Sequence, residues 1–167
     1  WEAAIAGKSG AGPITHFDAS LFKTQFACEV KNFNAADHIT DRKKLRQLDL
    51  YAQYALVAAR QAVEDSGLET SEGVDRNRVG VIVAAGIGGL HTFEEEAGYY
   101  AINHEKGPKY NPFFIPKMIA DIASGHISME YGYHGPNYGV VSACASSNNA
   151  IIDAFNYIRL GKADAFV

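Results

Sequence analysis

The fold class is indicated most clearly by the segment NYGVVSACASSNNAIIDAFNYIRLG, residues 137–161. It begins with NYGVVSA, a short run with a β-branched pair that is typical of a buried strand. It ends with NAIIDAFNYIRLG, in which Ile151, Phe155 and Ile158 recur at helical spacing and predict an apolar face. Small and polar residues lie between these two parts, around Cys144. The segment therefore predicts a strand, a tight turn and a helix, with Cys144 at the turn.

The same alternation of strands and helices runs through the rest of the chain. The apolar run RVGVIVAAG, residues 78–86, predicts a strand covered on both faces, followed by a helix that begins near Leu90. A second helix is predicted over KMIADIASGHISMEYG, residues 117–132, and another strand begins in DAFV, residues 164–167. This order predicts an α/β fold with a mostly parallel sheet and helices on both faces.

The clearest helix is predicted over LDLYAQYALVAARQAVEDSGL, residues 48–68, with Gly67 as its stop. Its predicted apolar face comprises Leu50, Tyr54, Val57, Ala58, Gln61 and Ala62. Smaller elements are predicted in three places: the end of a helix in WEAAIAG (1–7), an exposed strand in TQFACEV (24–30) and a turn-rich loop in GPKYNPFFIP (107–116).

Composition narrows the class of protein. The 167 residues are 47% hydrophobic and 20% charged, with a net charge of -4, which suits a globular protein with one core. This mild acidity gives no reason to expect a nucleic-acid partner, and no apolar run is long enough to suggest a membrane span. Two distant cysteines, Cys28 and Cys144, suit a reducing compartment, so we expect a cytoplasmic protein.

Two glycine-containing stretches resemble nucleotide-binding motifs but lack required residues. GKS, residues 7–9, has Glu2 where a phosphate-binding loop needs its first glycine. GIGGLH, residues 86–91, has His91 where a dinucleotide fingerprint needs its third glycine. The six histidines show no metal-binding spacing. We therefore predict no bound cofactor and no metal.

A basic cluster lies in DRKKLRQLD, where Lys43 and Arg46 are three residues apart and share a helical face. Such residues are often no more than the solvated start of a helix. They also suit a docking patch for an acidic partner. Their spacing alone favours the solvated helix start.

Cys144 also has two interpretations. A free cysteine is among the residue types most often buried as a small core side chain. Just before a helix, however, the positive end of the peptide dipoles would stabilise a thiolate, and unpaired N–H groups could hold an oxyanion. The small neighbours would leave space for a substrate carbonyl: Ala143, Ala145, Ser146 and Ser147. The residues by themselves leave a nucleophile and a buried structural residue equally open.

Several blocks in order give the whole chain a resemblance to a known family. These blocks are WEAAIAGKSGAGPITHFDAS, DLYAQYALVAARQAVEDSGL, GIGGL, NPFFIP, GHISMEYGYHGPN and VSACASSNNAI. The chain resembles the N-terminal part of a β-ketoacyl-acyl carrier protein synthase, a type II condensing enzyme of the thiolase-like superfamily. The resemblance implies one half of a duplicated α-β-α-β-α layered fold in a homodimer, with the first strand and the C-terminal half missing. The abrupt start at Trp1 also suggests part of a longer polypeptide.

The resemblance implies an acyltransferase of fatty acid synthesis that elongates an acyl chain by decarboxylative Claisen condensation. Cys144 would be the nucleophile that accepts the acyl group, and its own backbone N–H would be one oxyanion donor. Both substrates would be carried on the phosphopantetheine of acyl carrier protein, with no further cofactor. Ile87, in GIGG, and Phe114, in NPFFIP, would line the acyl pocket, Phe114 from across the dimer interface. Lys43 and Arg46 would receive the acidic carrier protein.

Two departures from the family pattern limit these expectations. Gln47 occupies the next basic position of the docking patch. The two catalytic histidines and the supporting lysine of the family are expected beyond Val167, so we expect the 167-residue segment alone to be inactive in condensation. Alternatives are a cysteine-dependent thioester hydrolase or acyltransferase with His126 or His134 as base, and a polyketide-type ketosynthase. A partner subunit that only sets chain length is disfavoured because Cys144 is present.

Overall fold

The computed structural model describes residues 1–167, which separate into two units, Trp1–Asn34 and Ala35–Val167. In the first unit, helix α1 (Glu2–Ile5) is followed by Gly7 in the left-handed region (φ 64°), as predicted for this helix end. Strands β1 (Gly12–Pro13) and β2 (Phe26–Ala27) form an antiparallel pair.

The strand predicted over residues 24–30 is wrong for all but two residues, Phe26 and Ala27. Its partner β1 is itself only two residues long, so the ladder ends there. Beyond this ladder the two segments are joined through a side chain. The carboxylate of Glu29 accepts hydrogen bonds from the N–H (2.9 Å) and the hydroxyl (2.7 Å) of Thr15.

The second unit is a three-stranded parallel sheet with helices around it. Its helices are α2 (Arg42–Arg46), α3 (Leu50–Ser66), α4 (Leu90–Asn103), α5 (Phe114–Met118), α6 (Ile122–Tyr131) and α7 (Ser146–Arg159). Its strands are β3 (Val79–Ala84), β4 (Asn137–Val140) and β5 (Ala165–Phe166), in the order β4-β3-β5. Short 3-10 turns span Ala35–Asp37, Arg76–Arg78, His104–Lys106 and Ala143–Ala145. No helix has the length and apolarity needed to cross a membrane.

Strand order explains how the sheet is covered. The connection from β3 to β4 crosses the sheet in one direction, and the connection from β4 to β5 crosses it in the other. Because parallel crossovers are right-handed, α6 and α7 lie on opposite faces, and both pack on β3 and β4. Val79 and Val81 of β3 are 1% exposed, as expected for a strand covered twice. The predicted α/β fold with a parallel sheet is confirmed.

Helix α3 forms as predicted, but its buried face was only partly predicted. Asp49 caps its N-terminus, and Gly67 ends it in the left-handed conformation (φ 66°). The buried residues are Ala52, Leu56, Val57, Ala59 and Val63, whereas Ala58, Gln61 and Ala62 are exposed. Small and apolar residues occur on several sides of α3, so more than one set of its residues at helical spacing could form the buried face. Packing of α3 on α6 selects the buried one.

Two boundaries differ from the sequence prediction near residue 118. The predicted loop 107–116 ends in helix α5, and Pro116 lies in its first turn, where its missing N–H costs no hydrogen bond. The predicted helix 117–132 begins only at Ile122, because Ile119 is extended (ψ 138°). The carbonyl of Ile119 instead accepts a hydrogen bond from the hydroxyl of Tyr51. A tertiary contact thus interrupts the helical pattern.

Helix α7 begins at Ser146, earlier than the predicted start at Asn149. Ser146 and Ala150 are its buried residues, on the side that packs on the sheet. The predicted apolar face is present, but it is not covered within the chain: Ile151 is 68% exposed and Phe155 57%.

Candidate active site

The candidate site lies at the carboxyl edge of the parallel sheet. In the β3–β4 ladder, Ala84 pairs with Val140, and the N–H of Ala85 donates to the Val140 carbonyl (3.1 Å). The segments that follow the two strands therefore leave the sheet side by side. One leads to Ile87 and the other to Cys144, which brings these two predicted residues to the same edge. Ligands of open α/β sheets bind outside this edge.

Cys144 occupies the 3-10 turn Ala143–Ala145 between β4 and α7. Its thiol is free and exposed, so the interpretation as a buried structural residue is wrong. Ala143, directly before it, has φ 50°, a left-handed conformation that residues other than glycine adopt at some cost. Strain of this kind concentrates at functional sites. The turn thus exposes the thiol to solvent at the carboxyl edge of the sheet.

Hydrogen bonds of the Ser146 hydroxyl stabilise this turn. Its Oγ accepts a hydrogen bond from the Ser142 N–H (2.8 Å) and donates one to the Ala143 carbonyl (2.7 Å), on both sides of the strained residue. Ser146 is only 4% exposed, so water competes little with these bonds. The Asn149 amide adds a hydrogen bond to the Ser142 hydroxyl (2.7 Å). Sequence reasoning treated Ser146 only as a small residue and missed Asn149. A serine at a helix start is a known capping signal, but its partners depend on the turn.

The backbone around Cys144 offers a hydrogen-bond donor. The N–H of Ala145 donates to the Ser142 carbonyl (3.1 Å), and the N–H of Ser146 donates to the Ala143 carbonyl. The N–H of Cys144 has no acceptor within the chain. It lies just ahead of the N-terminus of α7, where the peptide dipoles favour negative charge. A developing oxyanion beside the thiol would be stabilised by this group.

An apolar cavity of about 360 Å³ opens beside Ile87. Its lining residues are Ile87, Gly89, Leu90, Phe93, Met118, Ile119 and Ala120. None of them carries a charged or hydrogen-bonding side chain, so the cavity suits a hydrocarbon chain. A second cavity of about 440 Å³ lies along α3 and includes Tyr51 and Ile87 in its lining. Ile87 therefore lines both cavities, and its predicted role in tuning acyl length stays a prediction.

Gly88 and Gly89 pack so closely on the backbone of Lys117 and Met118 that a side chain would not fit at either position. A Cβ on Gly89 would lie 2.4 Å from the Lys117 carbonyl oxygen, and one on Gly88 would lie 2.6 Å from that of Met118. Gly88 also has φ 102°, which L-residues rarely adopt. The GIGGL segment therefore acts through close backbone packing at the end of a strand and not through a phosphate.

Phe114 does not line this cavity in the chain. Its ring stacks on Phe93, at 6.4 Å between centroids, and on Tyr110, at 5.6 Å. Phe93 lines the cavity, so Phe114 supports the cavity through its ring contact with Phe93. Its predicted reach into a pocket across a dimer interface stays a prediction.

The basic cluster forms the short helix α2, whose N-cap Asp41 accepts N–H bonds from Lys43 (2.8 Å) and Lys44 (3.2 Å). Lys44 is tied to Glu130 by an ion pair of 2.6 Å, and Arg60 contacts the same carboxylate at 2.6 Å. Lys43 and Arg46 are exposed on the helix. The structure therefore separates one structural lysine from two cationic side chains that remain available to a partner.

The carboxylate of Glu130 stays ionised in this arrangement. Burial alone would raise the pKa of Glu130, but the hydrogen bonds from Arg60 and Lys44 outweigh it and hold the pKa below its usual value. The half-buried His126 lies near the same group. Burial, and then the charge of Lys44, lowers the pKa of His126.

The two histidines named as bases for a hydrolase interact with groups other than Cys144. The N–H of His134 donates to the Arg76 carbonyl (2.8 Å), directly before β3, so His134 lies at the amino edge of the sheet. Cys144 lies at the carboxyl edge, with the length of β4 between them. His126 is associated with the Lys44–Glu130 ion pair. Each of these two histidines is therefore engaged with groups other than the Cys144 thiol.

Comparisons with known proteins agree with this geometry. The family model described as "Beta-ketoacyl synthase, N-terminal domain" matches residues 1–167. The chain is 42% identical to 3-oxoacyl-[acyl-carrier-protein] synthase 2 of Staphylococcus aureus, with 100% of this chain and 40% of the relative covered. It is 44% identical to the protein of the same name from Coxiella burnetii, again over 100% of this chain and 39% of the relative.

Solved structures give the same result. The ishigamide ketosynthase/chain length factor superposes with a TM-score of 0.83 at 28% identity, covering 97% of this chain and 40% of that one. A type II polyketide synthase acyl carrier protein in complex with its ketosynthase matches with a TM-score of 0.71 at 26% identity, over 80% and 38%. The thiolase-like fold expected from the sequence is confirmed. The chain spans about 40% of the length of these curated relatives. On this evidence the chain belongs to the β-ketoacyl synthase family.

Proposed function

We propose that these residues form the N-terminal half of a 3-oxoacyl-acyl carrier protein synthase that elongates acyl chains in fatty acid synthesis. The observation that carries the proposal is the exposed Cys144, presented by a strained turn at the same sheet edge as the apolar cavity of Ile87. Identity above 40% to two 3-oxoacyl-[acyl-carrier-protein] synthases, against 26% to a type II polyketide ketosynthase, favours the fatty acid role.

The proposed reaction has two stages at Cys144. Its thiolate sulfur bonds to the carbonyl carbon of an acyl thioester, and the thiol of the carrier's phosphopantetheine leaves with a proton. Malonyl-carrier protein then loses carbon dioxide, and the electron pair of the broken C–C bond remains on its α-carbon. This carbon attacks the acyl-Cys144 carbonyl, and the sulfur leaves as thiolate. In both stages the Cys144 N–H would stabilise the oxyanion.

We further propose that groups outside these 167 residues promote decarboxylation, since His134 lies at the amino edge of the sheet and His126 lies near the Lys44–Glu130 ion pair. The enzyme would be a cytoplasmic homodimer, with Phe114 reaching the pocket of the partner. Its substrates would arrive on the phosphopantetheine of acyl carrier protein, and the reaction would need no other cofactor and no metal. We expect it to bind neither a nucleic acid nor a membrane.

Supplying the full-length protein with acyl- and malonyl-carrier protein tests the reaction class. We expect carbon dioxide release in proportion to 3-oxoacyl product, because one C–C bond breaks for each one formed. The measurement is trapped carbon dioxide together with mass spectrometry of the carrier. Thioester hydrolysis without carbon dioxide would instead support the hydrolase and contradict the proposal.

Lys43 and Arg46 are proposed to dock the acidic carrier, since both are exposed while Lys44 is held by Glu130. Replacing both with glutamate should raise the KM for acyl-carrier protein about tenfold, because interfacial attraction becomes repulsion. A small acyl thioester has no carrier, so its KM should change little. The control is Lys162→Glu, an exposed charge reversal outside α2. Equal effects on both substrates would rule out docking at this patch.

A further inference from the structure

We propose that Asp49 and Tyr51, at the start of α3, are positioning residues that set the width of the acyl cavity and so the chain length it accepts. The inference rests on the proposed function, because it takes the cavity ligand to be a linear acyl chain. Neither side chain belongs to the lining of the cavity of about 360 Å³, although Tyr51 lines the second cavity of about 440 Å³. Each is instead hydrogen-bonded to a different wall of the smaller cavity.

Asp49 holds the first wall, formed by the beginning of α4. Its carboxylate accepts hydrogen bonds from the N–H (2.9 Å) and the hydroxyl (2.6 Å) of Thr92. Asp49 is 5% exposed and Thr92 is 3% exposed, so these bonds are shielded from water. Thr92 lies in the first turn of α4, between Leu90 and Phe93, which both line the cavity. The position of this wall is therefore tied to the N-cap of α3.

Tyr51 holds the second wall, the extended segment between α5 and α6. Its hydroxyl donates to the Ile119 carbonyl (2.5 Å), and Ile119 lies between the lining residues Met118 and Ala120. Burial, followed by the charges of Asp49 and Asp121, raises the pKa of Tyr51 to about 12. The hydroxyl consequently remains protonated and continues to donate near neutral pH. It is also the contact that interrupts the helical pattern at Ile119.

The two contacts come from one rigid element. Asp49 and Tyr51 are two residues apart at the N-terminus of α3, whose own capping bond joins the Asp49 carboxylate to the Tyr51 N–H (3.4 Å). The walls also meet directly through the Gly89 N–H and the Met118 carbonyl (2.9 Å). The start of α3 thus fixes their separation away from this junction. The side chains of the lining residues are apolar, so apart from this backbone bond the hydrogen bonds that hold the walls come from outside the lining.

Binding of acyl chains of graded length tests this inference without requiring catalysis. The protein is the full-length chain carrying Cys144→Ala, and the probes are linear saturated acyl thioesters of N-acetylcysteamine, measured by calorimetry. Tyr51→Phe removes one hydroxyl and frees the Ile119 wall. We expect the ratio of affinities for long and short chains to rise about fivefold, the factor equivalent to one buried hydrogen bond.

Two further variants separate positioning from general stability. Tyr133→Phe removes a hydroxyl whose bond to Glu69 (2.8 Å) lies outside the cavity lining, and it should leave the ratio unchanged. Thr92→Val removes a donor at the opposite wall and should raise the ratio as Tyr51→Phe does. A ratio within about twofold of the parent protein in both wall variants, or an equal shift in Tyr133→Phe, would overturn the inference.

The same protein distinguishes this inference from the function on which it rests. If the protein without Cys144→Ala condenses acyl and malonyl groups but the length ratio does not respond, the positioning role is wrong and the function stands. If the ratio responds while condensation is absent, the cavity is an acyl site braced by α3, and the proposed reaction is wrong.

Discussion

Replacing Cys144 with alanine is expected to lower kcat/KM for condensation by the full-length protein at least about 10³-fold. The reaction needs a sulfur that first takes up the acyl group and then releases it to the carbanion. The turn Ala143–Ala145 contains no other nucleophilic side chain, and the hydroxyl of the adjacent Ser146 is buried and hydrogen-bonded to Ser142 and Ala143. The residual rate would come from binding and oxyanion stabilisation without an acyl-enzyme.

The chain supplies a matched control for this experiment. Cys28 is also free and exposed, but it lies in the separate unit Trp1–Asn34. Intact-mass measurement after incubation with acyl-carrier protein should show one acyl group on the parent protein and on Cys28→Ala, and none on Cys144→Ala. Condensation that survives in Cys144→Ala would refute the assignment of the nucleophile.

Ile87→Phe is expected to bias the full-length enzyme towards short acyl primers. Ile87 lines both cavities at the sheet edge, and a larger ring there would fill space that a long chain needs. Each buried methylene contributes about 0.8 kcal/mol, so loss of room for three methylenes costs about 2.4 kcal/mol. This corresponds to roughly a 50-fold fall in kcat/KM for long primers. Short primers should be affected little.

The measurement is kcat/KM across a series of acyl-carrier proteins that differ only in chain length. Ile102→Phe is the control, because Ile102 lies on α4 with 82% exposure and does not line the cavity. A uniform decrease at all lengths in Ile87→Phe would point to general disruption of the loop, and an unchanged profile would show that Ile87 does not tune chain length.

Much of this arrangement was predictable from local pattern. The runs that became β3 and β4 are followed by small residues, and helices α6 and α7 are followed by Gly132 and by Leu160-Gly161. Strands that alternate with helices form a parallel sheet, and the carboxyl ends of adjacent parallel strands share an edge. Cys144 and Ile87 both follow such strands, so their common location was within reach of sequence reasoning once the fold class was known.

Other features depended on which surfaces meet. The inner face of α3 could not be chosen from its sequence, because small and apolar residues occur on several sides and only packing on α6 selects Ala52, Leu56 and Val63. The end of α5 and the start of α6 could not be predicted from the local sequence either. A hydrogen bond from Tyr51, far away in sequence, holds Ile119 extended where the local pattern continues a helix.

The alternation of strands and helices, and the position of one cysteine between a strand and a helix, were readable from local sequence pattern, because each element is set largely by its near neighbours. What that cysteine can do depends on the folded environment. Its exposure, the strained Ala143 and the Ser146 hydrogen bonds arise from how the turn sits on the sheet edge. The cavity walls held by Asp49 and Tyr51 join residues far apart in the chain. Partners at such separations leave no local periodic signal, so their pairing appears only once the fold has formed.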